Sequence, residues 1–220
     1  MTLGVCTAQA QRISSPYRFL DTSQEAGLYV GHVKAGEGSA QLGHKSGNSV
    51  GLRYALRFSS AISVDADVMY FRSEIPVRDT TVSVTAGDSS YTQLGTAKSN
   101  LLVPTVSLRL NLTGLRTWNN ILPYLTFGGG GAFEVQKDKP SIERAPVDAR
   151  YALGTSFAGT FGAGIQIFPT DRLALRIDGR NVLWKVKTPA ALLRGRISST
   201  IPKDEWVSNL AFSAGLSFHF

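Results

Sequence analysis

Nine charged residues stand at alternating positions in stretches that are otherwise apolar or small: Arg53, Arg57, Asp65, Asp67, Arg109, Glu134, Arg176, Asp178 and Arg180. Guanidinium and carboxylate groups on one face of extended segments can do two things. They can pair through charge-assisted hydrogen bonds, or they can line a polar passage for small solutes. Arg53 lies at a similar distance from Ser59-Ser60 as Asp65 or Asp67, and Arg176, Asp178 and Arg180 share one parity. Ion pairs across neighbouring strands are therefore expected. Catalysis is harder to assemble. His44-x-Ser46 falls in a glycine-rich segment without a strand-borne carboxylate in register, and His32 and His219 have no partner in sequence, so no Ser-His-acid set is legible. Ser156, in GTSFA, lacks the strand–turn–helix setting of a nucleophile elbow. Gly128–Gly131 runs into the strand-like AFEV, which offers no helix N-terminus to a phosphate. Cys6 is the only cysteine, which excludes a disulfide framework and a zinc site. No catalytic, cofactor-binding or metal-binding residue is expected.

The elements that carry these charges alternate with period two. Asn48–Phe58 sets Val50, Leu52, Tyr54, Leu56 and Phe58 against Gly51, Arg53, Ala55 and Arg57. The same pattern recurs in Ala61–Phe71, Leu102–Leu112, Pro123–Gln136, Phe157–Phe168, Leu173–Val186 and Trp206–Phe220. Strict alternation over ten or more residues is a strand signal, and these strands are long for a soluble sheet. A further strand is expected at Glu25–Ala35, where Tyr29/Val33 and Leu28/Val30 compete for the outer face. That makes eight. Short connections at Ser59-Ser60, Thr113–Asn120 and Pro169–Arg172 alternate with long ones at Gly36–Gly47, Ser73–Ser99, Lys137–Ser156 and Lys187–Glu205.

Segregation of short turns to one end and long loops to the other fits an all-β, eight-stranded, antiparallel up-and-down transmembrane β-barrel. A soluble barrel would turn its apolar face inward. Here the polar face is made mostly of Gly, Ala, Ser and Thr with isolated ions of both signs, which suits a narrow lumen. The apolar face is then left for lipid. The 220 residues contain no run of about 18 apolar residues, which excludes an ordinary transmembrane helix. The net charge of +7 is scattered without a basic run, so no nucleic-acid partner is expected. One local conflict stands out. If Leu173, Leu175 and Ile177 face lipid, parity sends Trp184 into the lumen. A β-bulge near Gly179–Asn181 would return it to the outer aromatic girdle.

The segments PYLTFGGGGAFEV, FAGTFGAGIQIFPTDRLALRIDGR and NLAFSAGLSFHF carry a family likeness. The chain resembles the eight-stranded outer-membrane β-barrel family, of the outer-membrane protein A barrel type, from about Glu25 to Phe220. The resemblance implies residence in the outer membrane of a Gram-negative-type bacterium. It also implies that Leu216, Phe218 and Phe220 serve as an assembly signal read by the barrel-assembly machinery. Residues 1–10 read as the remnant of a signal peptide ending in Ala8-Gln9-Ala10, residues 11–24 as a periplasmic segment, and 25–220 as the barrel. Cations expected at the outer rim, Lys185, Lys187, Arg194 and Arg196 among them, could meet lipopolysaccharide phosphates. The function expected is structural or surface-interactive, through four long external loops. The alternative is a narrow pore for small solutes, and a lipid-modifying enzyme comes third.

Overall fold

The computed structural model describes residues 17–39, 41–85, 88–146, 150–151, 153–193 and 202–220. Its elements in chain order are β1 (Tyr17–Phe19), β2 (Gln24–Lys34), β3 (Gly47–Arg57), β4 (Ile62–Phe71), β5 (Glu74–Thr85), β6 (Asp88–Asn111), β7 (Arg116–Trp118), β8 (Ile121–Lys137), α1 (Lys139–Ile142), β9 (Thr155–Ile167), β10 (Leu173–Lys187), α2 (Ala190–Leu193) and β11 (Asp204–His219). Eight of these strands, β2, β3, β4, β6, β8, β9, β10 and β11, pair antiparallel in that order, and β11 pairs back to β2. The ring has no free edge. Starting at Phe133 and stepping across paired residues Leu102, Tyr70, Val50, Val30, Ala214, Ile177 and Ile165, one returns to β8 at Pro123, ten residues lower. That stagger tilts the strands and gives an interior only wide enough for side chains.

The undecided face of β2 resolves with Leu28 and Val30 exposed outward and Tyr29 and Val33 buried inward. Outward residues on the other strands form a continuous apolar band that includes Leu52, Val106, Phe127, Phe161, Ile177 and Phe212. The interior is layered. Leu20, Leu122, Phe168 and Ala174 close the end that carries the short turns. Charged residues fill the middle. Val33, Leu42, Phe71, Leu101, Val182 and Trp184 belong to an apolar cluster at the end of the long loops.

Three features depart from the sequence expectations. The stretch Ser73–Ser99, read as a loop, is mostly a hairpin of β5 and the first part of β6, extending β6 to 24 residues. Its polar, β-branched strands lack the apolar face by which the other strands were recognised. The segment before the barrel includes β1, which pairs with β7 below the ring, and β7 turns into β8 through Asn119 and Asn120, both at positive φ. Residues 11–16 of that segment, with residues 1–10, lie outside the described residues. Thirdly, no bulge interrupts β10. Its register with β11 runs unbroken from Leu173↔Phe218 to Lys187↔Asp204, and Trp184 is fully buried in the lumen. The outer half of the lumen is apolar, so an inward tryptophan is accommodated there. The one register shift of the β6–β8 seam lies instead on β8, where Val135 is the extra residue opposite Asn100/Leu101.

The small inward residues have a defined purpose. Gly51 pairs across the ladder with Tyr29, and a Cβ there would lie 2.3 Å from the tyrosine ring. Gly164 stands in the same relation to Tyr124, with 2.3 Å to its hydroxyl oxygen. Each glycine opens the space into which one lumenal tyrosine folds. Gly51→Val is therefore expected to lower stability by about 1–3 kcal/mol through overpacking, measured as a drop in the urea midpoint of protein folded in lipid vesicles. Adding Tyr29→Ala should recover part of the loss, and an unchanged midpoint in Gly51→Val would contradict the assignment.

Candidate functional site

The charged layer is built from five strands. β3 supplies Arg53, β4 supplies Asp65 and Asp67, β6 supplies Arg109, β10 supplies Arg176, Asp178 and Arg180, and β2 adds Glu25, which sequence reasoning missed. Arg53 and Asp67 are direct ladder partners, with Nε 3.0 Å from Oδ2. Arg53 also reaches across the lumen to Asp178 at 3.3 Å. Arg109 holds Glu25 at 2.6 Å and Asp65 at 3.5 Å. Arg176 holds Asp65 at 2.9 Å and Glu25 at 3.4 Å, and Arg180 holds Asp178 at 3.1 Å and Asp67 at 3.4 Å. Four guanidinium groups thus meet four carboxylates, each side chain almost wholly removed from solvent.

Two tyrosines organise the arginines. Arg53 and Arg180 lie 4.9 and 5.6 Å from the centre of the Tyr29 ring, and its hydroxyl donates to Asp67 at 2.8 Å. Arg176 and Arg109 lie 4.5 and 5.8 Å from the centre of the Tyr124 ring, and Arg176 Nε donates to its hydroxyl at 2.7 Å. Cation–π attraction is strongest in such desolvated settings. Gln166 completes the layer by donating to Glu25 at 2.8 Å. The cavity among Tyr29, Arg53, Arg176 and Asp178 measures about 10 Å³, no more than one water needs.

Two of the nine sequence-selected charges do not join this cluster. Arg57 lies at the short-turn end of β3 and donates to the Leu20 carbonyl at 2.7 Å, tying down the segment that closes that end. Glu134 has the inward parity but sits eight residues along β8 from Thr126, the partner of Arg109. It accepts a hydrogen bond from Ser99 Oγ at 2.7 Å, and Ser99 Oγ in turn lies 3.0 Å from His44 Nε2. Parity reports the face of a strand and not the height along it, which is why both residues were grouped with the rest.

The His44–Ser99–Glu134 contact was invisible in sequence because three separate elements bring it together. Its order is wrong for nucleophilic catalysis. In a triad the histidine takes the serine proton and the acid orients the histidine; here the serine donates to the carboxylate directly. His44 and Ser99 are fully buried, and Phe71, Tyr151 and Trp184 surround the imidazole at 6.2–6.4 Å between ring centres. Burial, with the Glu134 carboxylate nearby, pushes the Tyr151 phenol well above its usual range. Ser46, the other half of the His-x-Ser pair, is exposed and accepts from the Ala35 amide at 3.2 Å. The arrangement clasps the β2–β3 connection onto the top of the barrel. Among the described residues, no group of three or more His, Cys, Asp or Glu side chains is placed to hold a metal ion.

On the outside, Leu216, Phe218 and Phe220 are exposed on the apolar face of the last strand, and the Phe218 and Phe220 rings stack at 6.2 Å. Lys185 faces outward beside Trp206 and pairs with Asp204 at 3.1 Å, while Lys187 is exposed at the end of β10. Arg194 and Arg196 lie outside the described residues.

Residues 1–220 match the family model of the outer membrane protein beta-barrel domain. The chain belongs to this family. Its residence is accordingly the outer membrane of a Gram-negative bacterium, and the closed ring is its means of crossing. Solved structures agree in fold. The outer membrane protein OprG from Pseudomonas aeruginosa superposes with a TM-score of 0.54 at 12% identity, covering 90% of this chain and 97% of that one. Neisserial surface protein A superposes with a TM-score of 0.54 at 14% identity, with the same coverage. Among curated proteins, no relative of the sequence is found.

The outer-membrane barrel depends on the charge balance of its lumen. Removing one member of a buried ion pair leaves its partner uncompensated, at a cost of about 3–5 kcal/mol. Asp67→Asn, which weakens the hold on Arg53, Arg180 and Tyr29, should lower the urea midpoint of the refolded barrel by a corresponding amount. Arg53→Met combined with Asp67→Leu should lose less than Asp67→Asn alone. Equal losses would mean that pairing is not what stabilises the layer.

Proposed function

We propose that the protein is a closed outer-membrane barrel with a structural and surface-interaction role, presenting four external connections from a rigid wall and passing no solute through its lumen. The observation that carries this reading is the filled interior. An apolar floor, a charge-neutral middle layer and an apolar outer cluster succeed one another, each built from side chains almost wholly removed from solvent. A pore would need all three layers to part, including ion pairs whose members have little access to water.

The role is inferred to be non-enzymatic. The serine and histidine that do meet a carboxylate are buried, and the three are connected in an order that leaves the histidine unable to act as the serine's base. Leu216, Phe218 and Phe220 offer the assembly machinery an exposed apolar and aromatic face. Lipid and lipopolysaccharide are the partners of the outer wall, with Lys185 and Lys187 at the level of the phosphates; Arg194 and Arg196 would add to them.

Recording from purified protein in planar bilayers tests the reading. The expected result is an absence of discrete conductance steps, in wild type and in Arg53→Ala alike. Reproducible unitary steps in wild type that change size in Arg53→Ala would establish the narrow pore in its place.

A further inference from the structure

The lipid-facing wall is uneven. On β9, β10, β11 and β2 it holds an apolar groove of about 640 Å³, lined by Val30, Ala163, Ile165, Ile177, Gly179 and Ala214. Ladder pairing defines what lies above it. One row across these strands reads Ile165–Ile177–Ala214–Val30, and the next outward-facing row reads Ala163–Gly179–Phe212–His32. The row beyond that reads Phe161–Asn181–Leu210–Lys34.

Polar side chains therefore begin directly above the groove, and they begin deep. Asn181 sits four residues below Lys185, the partner of Trp206, on the same strand. Four residues span about 13 Å along a strand, so Asn181 lies beneath the aromatic girdle that Trp206 forms with Phe157. Beyond Asn181 the same ladder row continues through Phe161, Phe127 and Leu108, all apolar. A polar group facing hydrocarbon is costly unless it is hydrogen-bonded. Asn181 accepts from Ser208 at 2.9 Å, and His32 meets Asn48 at 3.1 Å, which leaves the Asn181 amide NH2 as a donor toward lipid. Ammonium groups come higher still: the stagger of the ring lifts Lys34 on β2 above Asn181 although both share one ladder row, and Lys185 lies four positions further along β10. Lys34 has no ion pair among the described residues, whereas Lys185 shares Asp204.

From the membrane centre outward, the wall thus offers an apolar groove, then the Asn181 amide as a hydrogen-bond donor, then cations. A phosphorylated lipid has the same order of chemistry: acyl chain, ester or amide carbonyl, phosphate. Lys34 and Lys185 are two strands and four ladder positions apart, on the order of 16 Å between Cα atoms by ordinary sheet spacings. That separation suits a headgroup with two phosphates better than one with a single phosphate. We infer that this face is a binding site for one molecule of a bisphosphorylated outer-leaflet glycolipid of the lipid A type, with an acyl chain in the groove, a chain carbonyl on Asn181 and phosphates on Lys34 and Lys185. The inference rests on the lipopolysaccharide contact proposed above and narrows it to a single site.

The test is native mass spectrometry of protein refolded in bilayers containing bisphosphorylated lipid A, monophosphorylated lipid A or phosphatidylglycerol, then released into mild detergent. Wild type should retain one bisphosphorylated lipid A, at least tenfold over either competitor. Gly179→Leu with Ala214→Leu fills the groove with apolar side chains; a Cβ at Gly179 meets the Phe212 ring only at an ordinary 3.4 Å. This pair, and separately Lys34→Gln with Asn181→Leu, should each reduce retention about tenfold. Both should keep the heat-modifiable gel mobility of a folded barrel, since Asn181→Leu removes a polar group from the lipid face. If Lys185→Gln with Lys187→Gln lowers retention but the groove-filling pair does not, the general contact stands and the single site is overturned. Equal retention of phosphatidylglycerol overturns the lipid A assignment, and no retention by wild type overturns both.

Discussion

A strand in hydrocarbon has no water to satisfy its backbone N–H and C=O groups, so the sheet must close on itself. Everything else in this protein follows from that closure. Eight strands with a stagger of ten residues enclose a narrow space that is nevertheless too wide to be left empty. The interior has to be packed from side chains that alternate with lipid-facing residues on the same strands. Alternation is therefore not a decoration of the fold but the condition under which one sheet can face two solvents.

Filling the interior with ions imposes its own accounting. Burying a charge is expensive, and four arginines are tolerable because Glu25, Asp65, Asp67 and Asp178 meet them within a few ångströms. Tyr29 and Tyr124 stiffen the layer by stacking on the guanidinium planes and tying hydroxyls into the same bonds. Their rings fit only because Gly51 and Gly164 stand opposite. Glycine, tyrosine, arginine and carboxylate form one unit that spans most of the ring, so the wall and its contents are mutually dependent.

Above that layer the lumen becomes apolar, and the change of character explains what parity alone made puzzling. Trp184 remains inside because Val182, Val186, Phe71 and Leu101 surround that level with hydrocarbon. An unbroken β10 then obliges Asn181 to face outward. The same regularity that buries the tryptophan places an amide against lipid, beside Ser208 and above a groove floored by small residues. Inner packing and the polarity of the outer wall are thus coupled through the period of a single strand.

Period two, the count of eight strands and the alternation of short and long connections were legible in the residues alone, because each is a local consequence of a strand separating lipid from lumen. The face on which Arg53, Asp65, Asp67, Arg109, Arg176, Asp178 and Arg180 lie was legible for the same reason. Their heights were not, since position along the barrel depends on register and stagger summed over the whole ring; Arg57 and Glu134 share the parity yet sit at opposite ends. Glu25 escaped notice because Leu28/Val30 and Tyr29/Val33 present equally apolar faces, and only neighbouring strands choose between them. The β5–β6 hairpin escaped because it stands clear of the lipid that stamps alternation on the rest. Except on β2 and at Trp184, the residues by themselves determined which solvent each strand face meets, a matter of nearest neighbours. Which charges pair, what clasps His44 to Ser99 and where the outer wall turns polar were decided only by tertiary structure, because those contacts join residues far apart in the chain.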